Sequence, residues 1–334
     1  MTKKLPNQTT IVRREFLRLT ATAAAIPAAM SRAVADTYPS RPIRLIVGFT
    51  AGAASDVIAR IFAREAGPLV GQQMIVENRP GAGSSIAAHY VARAPKDGYT
   101  LFLPPLSTLT NEIINPTSPP LDMSKDFAPI AQLAEGPFFL TVNPSLGVRS
   151  VAELVALAKA KPDVLTFGSV GAGSLPHLCG VLFEQKAGIK LVHVPYPGSP
   201  ESVTDLIAGR ITLSFIVGSS IIGQIRAGKL AVLATTGAKR ANLLPDAPTM
   251  TEAGISGFDF NLWLGVMAPA NTPQPIVTTL ANAARKAMQS PAAVDALHKQ
   301  GYEPLDIGPD EFAARIRTDI ARWTAVARAA GMKS

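Results

Sequence analysis

The chain is poor in the residues that many catalytic and metal sites require. It has one cysteine and four histidines among 334 residues. A single cysteine cannot form a disulfide within the chain, and Cys179, in the apolar stretch LPHLCGVLF, is expected to be a small buried residue. His89, His177, His193 and His298 do not have the spacing of a metal site. The sequence therefore gives no sign of a metal or another cofactor.

The basic charge of the chain is concentrated at its N-terminus. The net charge is +8, but six basic residues and one acidic residue lie within residues 1–35. Residues 36–334 therefore carry about +3. No stripe of lysine and arginine with interleaved aromatic residues is present, so nucleic acid is not an expected partner.

Residues 1–35 have the pattern of a cleavable export signal. Arg13 and Arg14 precede Phe-Leu, an apolar stretch covers about 19–30, and Ala-Val-Ala ends at Ala35. The arginine pair is typical of the twin-arginine route, and the apolar stretch is too short to span a bilayer. No cysteine follows the cleavage site directly, so no lipid anchor is expected. The alternative is a cytosolic amphipathic N-terminus.

Several enzyme motifs are incomplete. GAGSSI (81–86) and GAGSLP (171–176) lack the third glycine of a dinucleotide fingerprint. GQIRAGKL (223–230) lacks the serine or threonine of a phosphate-binding loop and lies between a helical pattern and a strand, the reverse of the required order. The G-x-S-x-G motif of serine hydrolases is absent from the sequence.

One pattern occurs twice, about 120 residues apart. LIVGFTAGAASDVIARIFAREAG continues to MIVENRPGAGS, and LTFGSVGAGSLPHLCGVLFEQKAG continues to IKLVHVPYPGS. Each copy predicts a strand, a loop of small residues, a helix, a second strand and a Pro-Gly turn, with Gly67 and Gly188 as helix C-caps. This is βαβ order, so we expect an α/β fold of two lobes, each with a mostly parallel sheet flanked by helices.

The remaining elements fit this architecture. The helix predicted over 150–162 has Ser150 as its N-cap and Glu153 at the capping-box position. Helical patterns dominate from 272 onward, and NLWLGVMAP (261–269) is the expected return crossing. Further predicted elements are strands at 97–105, 137–145, 211–217 and 230–237 and a short helix at 201–210.

The two small-residue loops, 48–56 and 168–174, are candidate anion sites. A loop that opens a helix presents unpaired backbone N–H groups, and the helix dipole adds partial positive charge. Additional donors are available from Ser55, Ser169, Ser174, Ser107 and Thr108. The alternative is that both loops are ordinary βα turns in which Asp56 or Ser55 caps a helix. Ser174 and His177 are also compatible with a Ser–His pair of a hydrolase. The alternative is that His177 caps a helix or lines the cleft.

The chain contains the sequence blocks VENRPGAGSSIAA, APKDGYTLF, LVHVPYPGS, IRAGKLAVLATTGAKR and LPDAPTMTEAGI. In these blocks the chain resembles the periplasmic solute-binding receptors of tripartite tricarboxylate transporters (the Bug or TctC type). The similarity extends over essentially all of residues 36–334. The resemblance implies a two-lobed periplasmic-binding-protein clamshell (type II-like) without enzymatic activity. It also implies a small carboxylate ligand, a two-component membrane permease as partner, and a monomer in the periplasm.

The resemblance carries over to individual residues in part. Phe49, Gly52, Ser55 and Asp56 match the first-lobe loop of the family, whereas Gly48, Ala51 and Ala53 depart from it. We expect Ala53, at a family glycine, to restrict the backbone. The second-lobe loop matches closely. The implied ligand-binding residues are Phe49, Gly52, Ala53, Ala54, Ser55, Asp56, Ser107, Thr108, Ser169, Gly171, Ala172, Gly173, Ser174, His177, Tyr196 and Gly198.

Lobe 1 is expected to comprise 36–137 and 261–334, and lobe 2 to comprise 138–260, with the ligand cleft between them. Ile216 replaces a polar residue of many relatives, and with Leu106, Leu175 and Trp263 it suggests a ligand with an apolar or aromatic body. The expected function is capture of a dicarboxylate, tricarboxylate, amino acid or aromatic acid for delivery to the permease. A ligand sensor that feeds a signalling partner is the alternative.

Overall fold

The computed structural model describes residues 38–332 and, ahead of them, Thr2 alone. The predicted export signal, with its arginine pair and the cleavage site at Ala35, lies outside the described residues. The strands are β1 (Ile43–Val47), β2 (Met74–Asn78), β3 (Thr100–Phe102), β4 (Phe127–Gly136), β5 (Phe138–Val142), β6 (Thr166–Ser169), β7 (Val192–Pro195), β8 (Leu213–Val217), β9 (Ala231–Thr235), β10 (Leu262–Pro269) and β11 (Glu303–Ile307). The helices are α1 (Ala54–Val70), α2 (Ser85–Ala92), α3 (Leu106–Ile114), α4 (Val151–Ala160), α5 (Leu175–Ala187), α6 (Ser199–Ile207), α7 (Gly218–Arg226), α8 (Gln274–Met288), α9 (Pro291–Lys299) and α10 (Pro309–Ala329).

The strands form two mixed sheets. The first has the order β11-β4-β10-β3-β1-β2 and the second the order β7-β6-β8-β5-β9. Three neighbouring strands of each sheet are parallel, namely β2, β1 and β3 in the first and β7, β6 and β8 in the second. The other neighbours pair antiparallel, which returns β4 and β9 to the direction of the parallel strands. Most strands of each sheet therefore share one direction, and the predicted α/β class is confirmed.

The first sheet takes its strands from two separate stretches of sequence. The chain leaves it after Gly136, enters the second sheet at Phe138, and returns with β10. The stretch 261–269, predicted as the return crossing, forms this buried central strand between β3 and β4. Two lobes follow from this path, one around each sheet, while their predicted boundaries at 137/138 and 260/261 stay a prediction.

Helix α1 ends later than the Ala-Gly pattern predicts. Gly67 is not its C-cap, because the helix continues through Pro68 to Val70 and closes at Gly71, whose φ is 74°. Gly67 instead allows a close approach, since a Cβ there would lie 3.1 Å from the Gln72 carbonyl oxygen. The second copy behaves as predicted: Gly188, with φ 62°, caps α5.

The predicted N-cap of α4 is confirmed. The Ser150 hydroxyl accepts the Glu153 backbone N–H at 3.2 Å, and the Glu153 carboxylate accepts the Arg149 N–H at 2.7 Å. Cys179 is fully buried, as expected, and burial raises the pKa of its thiol. Among residues 38–332, no helix has both the length and the apolar character that crossing a membrane requires.

A buried carboxylate connects the C-terminal helix to the first sheet. Asp319 on α10 is 1% exposed, and it accepts the indole N–H of Trp263 at 2.8 Å and the Arg315 Nε–H at 3.0 Å. Trp263 lies on the central strand β10, and its ring packs edge-on against Phe312 of α10. The polar and aromatic contacts together fix the helix against the sheet.

Asp319→Ala is expected to lower the free energy of unfolding by about 3 kcal/mol, because it leaves the buried Trp263 N–H without an acceptor and Arg315 with only its long 3.9 Å pair to Glu135. Urea denaturation measures the change. The control is Asp259→Ala, which removes a far more exposed pair with Arg322 of the same helix and costs less than about 1 kcal/mol. Equal losses in the two variants would contradict the role of the buried carboxylate.

Candidate functional site

A cavity of about 190 Å³ lies where the ends of several strands meet. In α/β sheets, ligands bind at the carboxyl ends of parallel strands. Part of the lining comes from the segments that follow β1, β3 and β6 and from the start of α6. The rest comes from strands β5, β6, β8 and β10 and from the short connection before β11. The lining residues are Phe49, Ala53, Ala54, Ser55, Pro105, Ser107, Phe138, Ser169, Val170, Leu175, Pro176, Ser199, Ser202, Ser214, Phe215, Ile216, Val217, Leu262, Leu264 and Tyr302.

Five helices begin at this cavity. The N-cap or first-turn residues of α1, α3, α5, α6 and α7 belong to the lining. Four of these helices, all except α5, have no side-chain hydrogen bond at the N-cap. The first N–H groups of a helix have no acceptor within it, and the helix dipole makes that end partially positive. The cavity is thus surrounded by unsatisfied donors that favour an anion.

The lining itself carries no charged side chain. Its polar groups are the hydroxyls of six serines and of Tyr302, and the remaining lining residues are apolar. Ser202 and Tyr302 are each only 2% exposed, and their hydroxyl oxygens have no hydrogen-bond partner among the described residues. Because buried hydroxyls in proteins are normally paired, both mark positions where a ligand or water completes the hydrogen bonding.

The β1–α1 loop is held from behind by Asp56. The Asp56 carboxylate accepts the Gly52 N–H at 2.9 Å, Arg60 at 2.9 and 3.0 Å, and Asn78 at 2.9 Å. Asn78 also donates to the Phe49 carbonyl at 2.9 Å. Burial alone raises the pKa of Asp56, but the bonds from Arg60, Gly52 and Asn78 outweigh it and lower that pKa. Asp56 lies outside the lining, so its direct role in this structure is to fix the loop.

The backbone of this loop explains its glycines. Gly52 has φ +83°, a conformation that favours glycine, whereas Ala53 has φ −65° and ψ 158°. Alanine adopts this conformation without strain, and the expectation that it restricts the backbone relative to the family glycine stays a prediction. Gly48 is required for another reason: a Cβ there would collide with the Ser84 side chain.

Ser169, the last residue of β6, and Val170, the first residue of the β6–α5 loop, belong to the lining, whereas the glycines of this loop do not. Gly171 and Gly173 have φ +107° and +81°, and a Cβ on Gly173 would lie 2.7 Å from the Asn115 side chain at the end of α3. The Ala172 carbonyl accepts a long bond of 3.5 Å from that same amide. Residues 171–173 thus shape the loop where it meets α3.

Ser174 and His177 do not form a catalytic pair. The Ser174 hydroxyl donates to the Gly171 carbonyl at 2.7 Å and accepts the His177 backbone N–H, so it caps α5. The His177 Nδ1 accepts the Gly173 N–H at 3.1 Å. The contact between a serine hydroxyl and an imidazole occurs instead between Ser169 and His193, at 2.7 Å.

His177 and His193 stack with ring centroids 3.8 Å apart, and Phe167 lies beside both rings. Burial, followed by the nearby His193, lowers the pKa of His177 to about 4. Burial also lowers the pKa of His193. Both rings are therefore neutral at pH 7, and neither supplies a cation for a ligand.

The other predicted residues lie at the margin of the cavity or outside it. Thr108 is fully buried and does not line the cavity. The Tyr196 hydroxyl donates to Asp205 at 2.8 Å, and Gly198 is the N-cap of α6. Leu175 and Ile216 of the predicted apolar wall do line the cavity, but Leu106 and Trp263 do not.

Several lining residues were not predicted from the sequence. Ser199 and Ser202 come from the start of α6, directly after the Pro-Gly turn, and their position after β7 is the signal that could have identified them. Phe138 and Leu262 lie where the chain passes between the two sheets. Tyr302 comes from the short connection before β11, where no pattern in the sequence marks it.

Asn78→Ala is expected to speed hydrogen–deuterium exchange in peptides covering 48–56 by about five- to tenfold, because the lost bonds to Phe49 and Asp56 are worth about 1 kcal/mol. The control is Asn242→Ala, which removes an exposed bond to Glu303. It should leave exchange in 48–56 unchanged. Unchanged exchange in Asn78→Ala would show that the loop is fixed by other contacts.

The depressed pKa of His177 makes stability depend on pH. The unfolded chain binds the proton near pH 6.5 and the folded chain near pH 4, so this contribution is complete above pH 6.5 and is lost as the pH falls toward 4. His177→Phe should therefore flatten the fall in unfolding free energy between pH 6.5 and 4, measured by urea denaturation. His298→Phe, at a surface histidine beside Glu303, is the control. If the unfolding free energy of His177→Phe falls as steeply with pH as that of the wild type, His177 is not the source of the pH dependence.

Known proteins share both the sequence and the fold. The family model described as the tripartite tricarboxylate transporter family receptor (TctC) matches residues 58–332. Protein BugT of Bordetella pertussis is 36% identical over 300 residues, covering 90% of this chain and 92% of BugT.

Two solved structures extend the comparison. An R. palustris protein solved with adipate has 35% identity and a TM-score of 0.79, and the match covers 89% of this chain and 99% of that protein. The periplasmic binding protein BugD has 30% identity and a TM-score of 0.76 over 89% of this chain and 99% of BugD. The chain belongs to the receptor family of the tripartite tricarboxylate transporters, as its sequence blocks and two-lobed fold both indicate.

Proposed function

We propose that this chain is an exported receptor that holds a small organic carboxylate between its two lobes and delivers it to a two-component membrane permease. The observation that carries the proposal is the convergence of five helix N-termini on a cavity with no charged lining residue. A carboxylate in this cavity accepts backbone N–H and serine O–H bonds, which are stronger than bonds between neutral groups.

Both lobes contribute donors. The first supplies the starts of α1 and α3, and the second supplies those of α5, α6 and α7. A ligand held by both lobes favours the closed arrangement over any open one, because it gains its full set of bonds only there. We place the lobes at 36–137 with 261–334 and at 138–260, with the ligand between them.

The predicted site residues divide into three groups under this proposal. Phe49, Ala53, Ala54, Ser55, Ser107 and Ser169 line the cavity and contact the ligand. Gly52, Asp56, Gly171, Ala172, Gly173, Ser174 and His177 set the shapes of the two loops. Thr108, Tyr196 and Gly198 lie outside the lining: Thr108 is buried, Tyr196 is bonded to Asp205, and Gly198 is the N-cap of α6.

The relatives support the cellular setting. The R. palustris relative was solved with a dicarboxylate, and BugD is a periplasmic binding protein. The pattern of residues 1–35 supports export with cleavage near Ala35. We propose a monomer that meets its permease in the periplasm. Co-purification with the permease distinguishes transport from delivery to a signalling partner.

The contact between Ser169 and His193 calls for a test of the hydrolase alternative. In the described residues no acidic side chain is bonded to His193, and Ser169 also contacts the Gly171 backbone. A catalytic serine needs a histidine base oriented by a third group. The proposal is therefore binding without turnover, and ester hydrolysis that disappears in Ser169→Ala would contradict it.

Ala54→Pro tests the backbone donors directly. Ala54 is the first residue of α1, where proline is tolerated, and Ala53 already has the extended backbone that precedes proline. The substitution removes one N–H from the cavity wall. It should weaken carboxylate binding at least about tenfold, the worth of one hydrogen bond to a charged group.

The measurement is calorimetric titration of refolded full-length protein with adipate, citrate, benzoate and hexanoate, because refolding removes retained ligand. Ala54→Ser, which keeps the N–H and adds a hydroxyl, is the matched control and should bind at least as tightly as the wild type. The proposal fails if no acid in the panel binds. It also fails if the proline and serine variants bind equally well.

A further inference from the structure

We propose that the ligand is a monocarboxylate with an apolar body and at most a neutral polar group at its far end. This inference rests on the proposed function, because it assigns the ligand class of the same cavity. It depends on a difference between the two ends of the cavity. The serine end comprises Ser55, Ser169, Ser199 and Ser202, and the apolar end comprises Phe138, Ile216, Leu262 and Tyr302.

The sheet orders place these two groups apart. In the first sheet, β1 lies two strands from β10, and in the second, β6 lies two strands from β5. Neighbouring strands are about 4.8 Å apart, so the ends are separated by roughly 10 Å. Leu262 pairs with Gly136, and Phe138 follows two residues later, so the β10 and β5 sides of the cavity coincide. The Tyr302 ring lies against Gly136 at the same side.

The serine end concentrates the anion-binding groups. The starts of α1, α5 and α6 lie there together with the hydroxyls of Ser55, Ser169, Ser199 and Ser202. The Ser202 hydroxyl is buried and has no partner among the described residues. One carboxylate at this end has several donors available and completes the hydrogen bonding of Ser202.

The apolar end offers little to a second carboxylate. Phe138, Ile216 and Leu262 are each less than a tenth exposed, and the lining contains no lysine, arginine or charged histidine. Helices α3 and α7 also begin near this end and contribute Ser107 and the N-cap Val217 to the lining, which gives fewer hydroxyls than the four of the serine end. Burying a carboxylate without a cation or several donors is costly, whereas burying hydrocarbon there is favourable.

Tyr302 supplies the one polar side chain among the four residues that define the apolar end. Its hydroxyl is buried and has no partner among the described residues. Burial raises the pKa of Tyr302, so the phenol stays protonated and neutral. A neutral hydroxyl or carbonyl on the ligand can satisfy this oxygen. A second carboxylate there would meet two hydroxyls, those of Tyr302 and Ser107, against four at the serine end.

Matched acids of equal chain length test the assignment. We compare hexanoate, 6-hydroxyhexanoate and adipate by calorimetric titration of the refolded full-length protein, with 4-hydroxybenzoate and terephthalate as a rigid pair. The monocarboxylate of at least one set should bind at least about tenfold tighter than its dicarboxylate partner. Dicarboxylates that bind as tightly in both sets would overturn the inference and indicate α7 as a second anion site.

Two variants test the serine end and the apolar end of the cavity separately. Ser202→Ala, at the serine end, should weaken all three six-carbon acids by a similar factor, because every one places a carboxylate there. Tyr302→Phe should lower the affinity for 6-hydroxyhexanoate about fivefold more than that for hexanoate. An equal loss of affinity for these two acids in Tyr302→Phe would contradict a contact between Tyr302 and the far end of the ligand. A residue with only a structural role would affect the binding of both acids equally.

The outcome remains distinguishable from failure of the proposed function. If adipate binds best and Ala54→Pro still weakens it, the receptor proposal stands and the monocarboxylate assignment fails. If none of these acids binds, both fail together.

Discussion

Backbone N–H groups without partners are the feature on which the candidate site depends. Every α-helix begins with N–H groups that it cannot satisfy itself, and the strand–loop–helix order brings such helix starts to one edge of each sheet. Here α1, α3, α6 and α7 begin at the cavity without a side-chain cap. Because the backbone supplies the donors, side chains beside it must be small, which accounts for the composition of GFTAGAASD.

A site built from backbone requires loops of fixed shape, and charged and polar side chains near the cavity serve that purpose. The Asp56 carboxylate, behind the first loop, accepts hydrogen bonds from Gly52, Arg60 and Asn78. The second loop is fixed by Ser174 at the cap of α5 and by His177, which accepts the Gly173 N–H. These residues belong to the same sequence motifs as the lining residues. A motif therefore identifies the loop without distinguishing the residues that contact a ligand from those that hold the loop in place.

The sequence predicted the elements with strong local signals. The β1–α1 and β6–α5 units follow from buried strands, small-residue loops and amphipathic helices, and Ser150 was recognisable as a cap. Helix α3 was not predicted, because it follows directly on the short extension of β3 and the two elements read as one apolar stretch. The mistaken C-cap at Gly67 has a tertiary cause, since that glycine is needed for the close passage of the chain before β2. Tyr302 was unpredictable for the same kind of reason: only the pairing of distant strands brings it to the cavity.

The neutrality of the cavity has a consequence for selectivity. A site that holds an anion with lysine or arginine attracts any acid strongly, whereas uncharged donors stabilise only a carboxylate that reaches several of them at once. The serines and helix starts provide such a cluster at one end of the cavity, and the hydrocarbon surface of Phe138, Ile216 and Leu262 occupies the other. Discrimination between acids then comes mainly from what the ligand presents at its far end. A charged group there loses its hydration without gaining enough hydrogen bonds in exchange. An apolar group needs no such bonds, and a hydroxyl group needs only one partner.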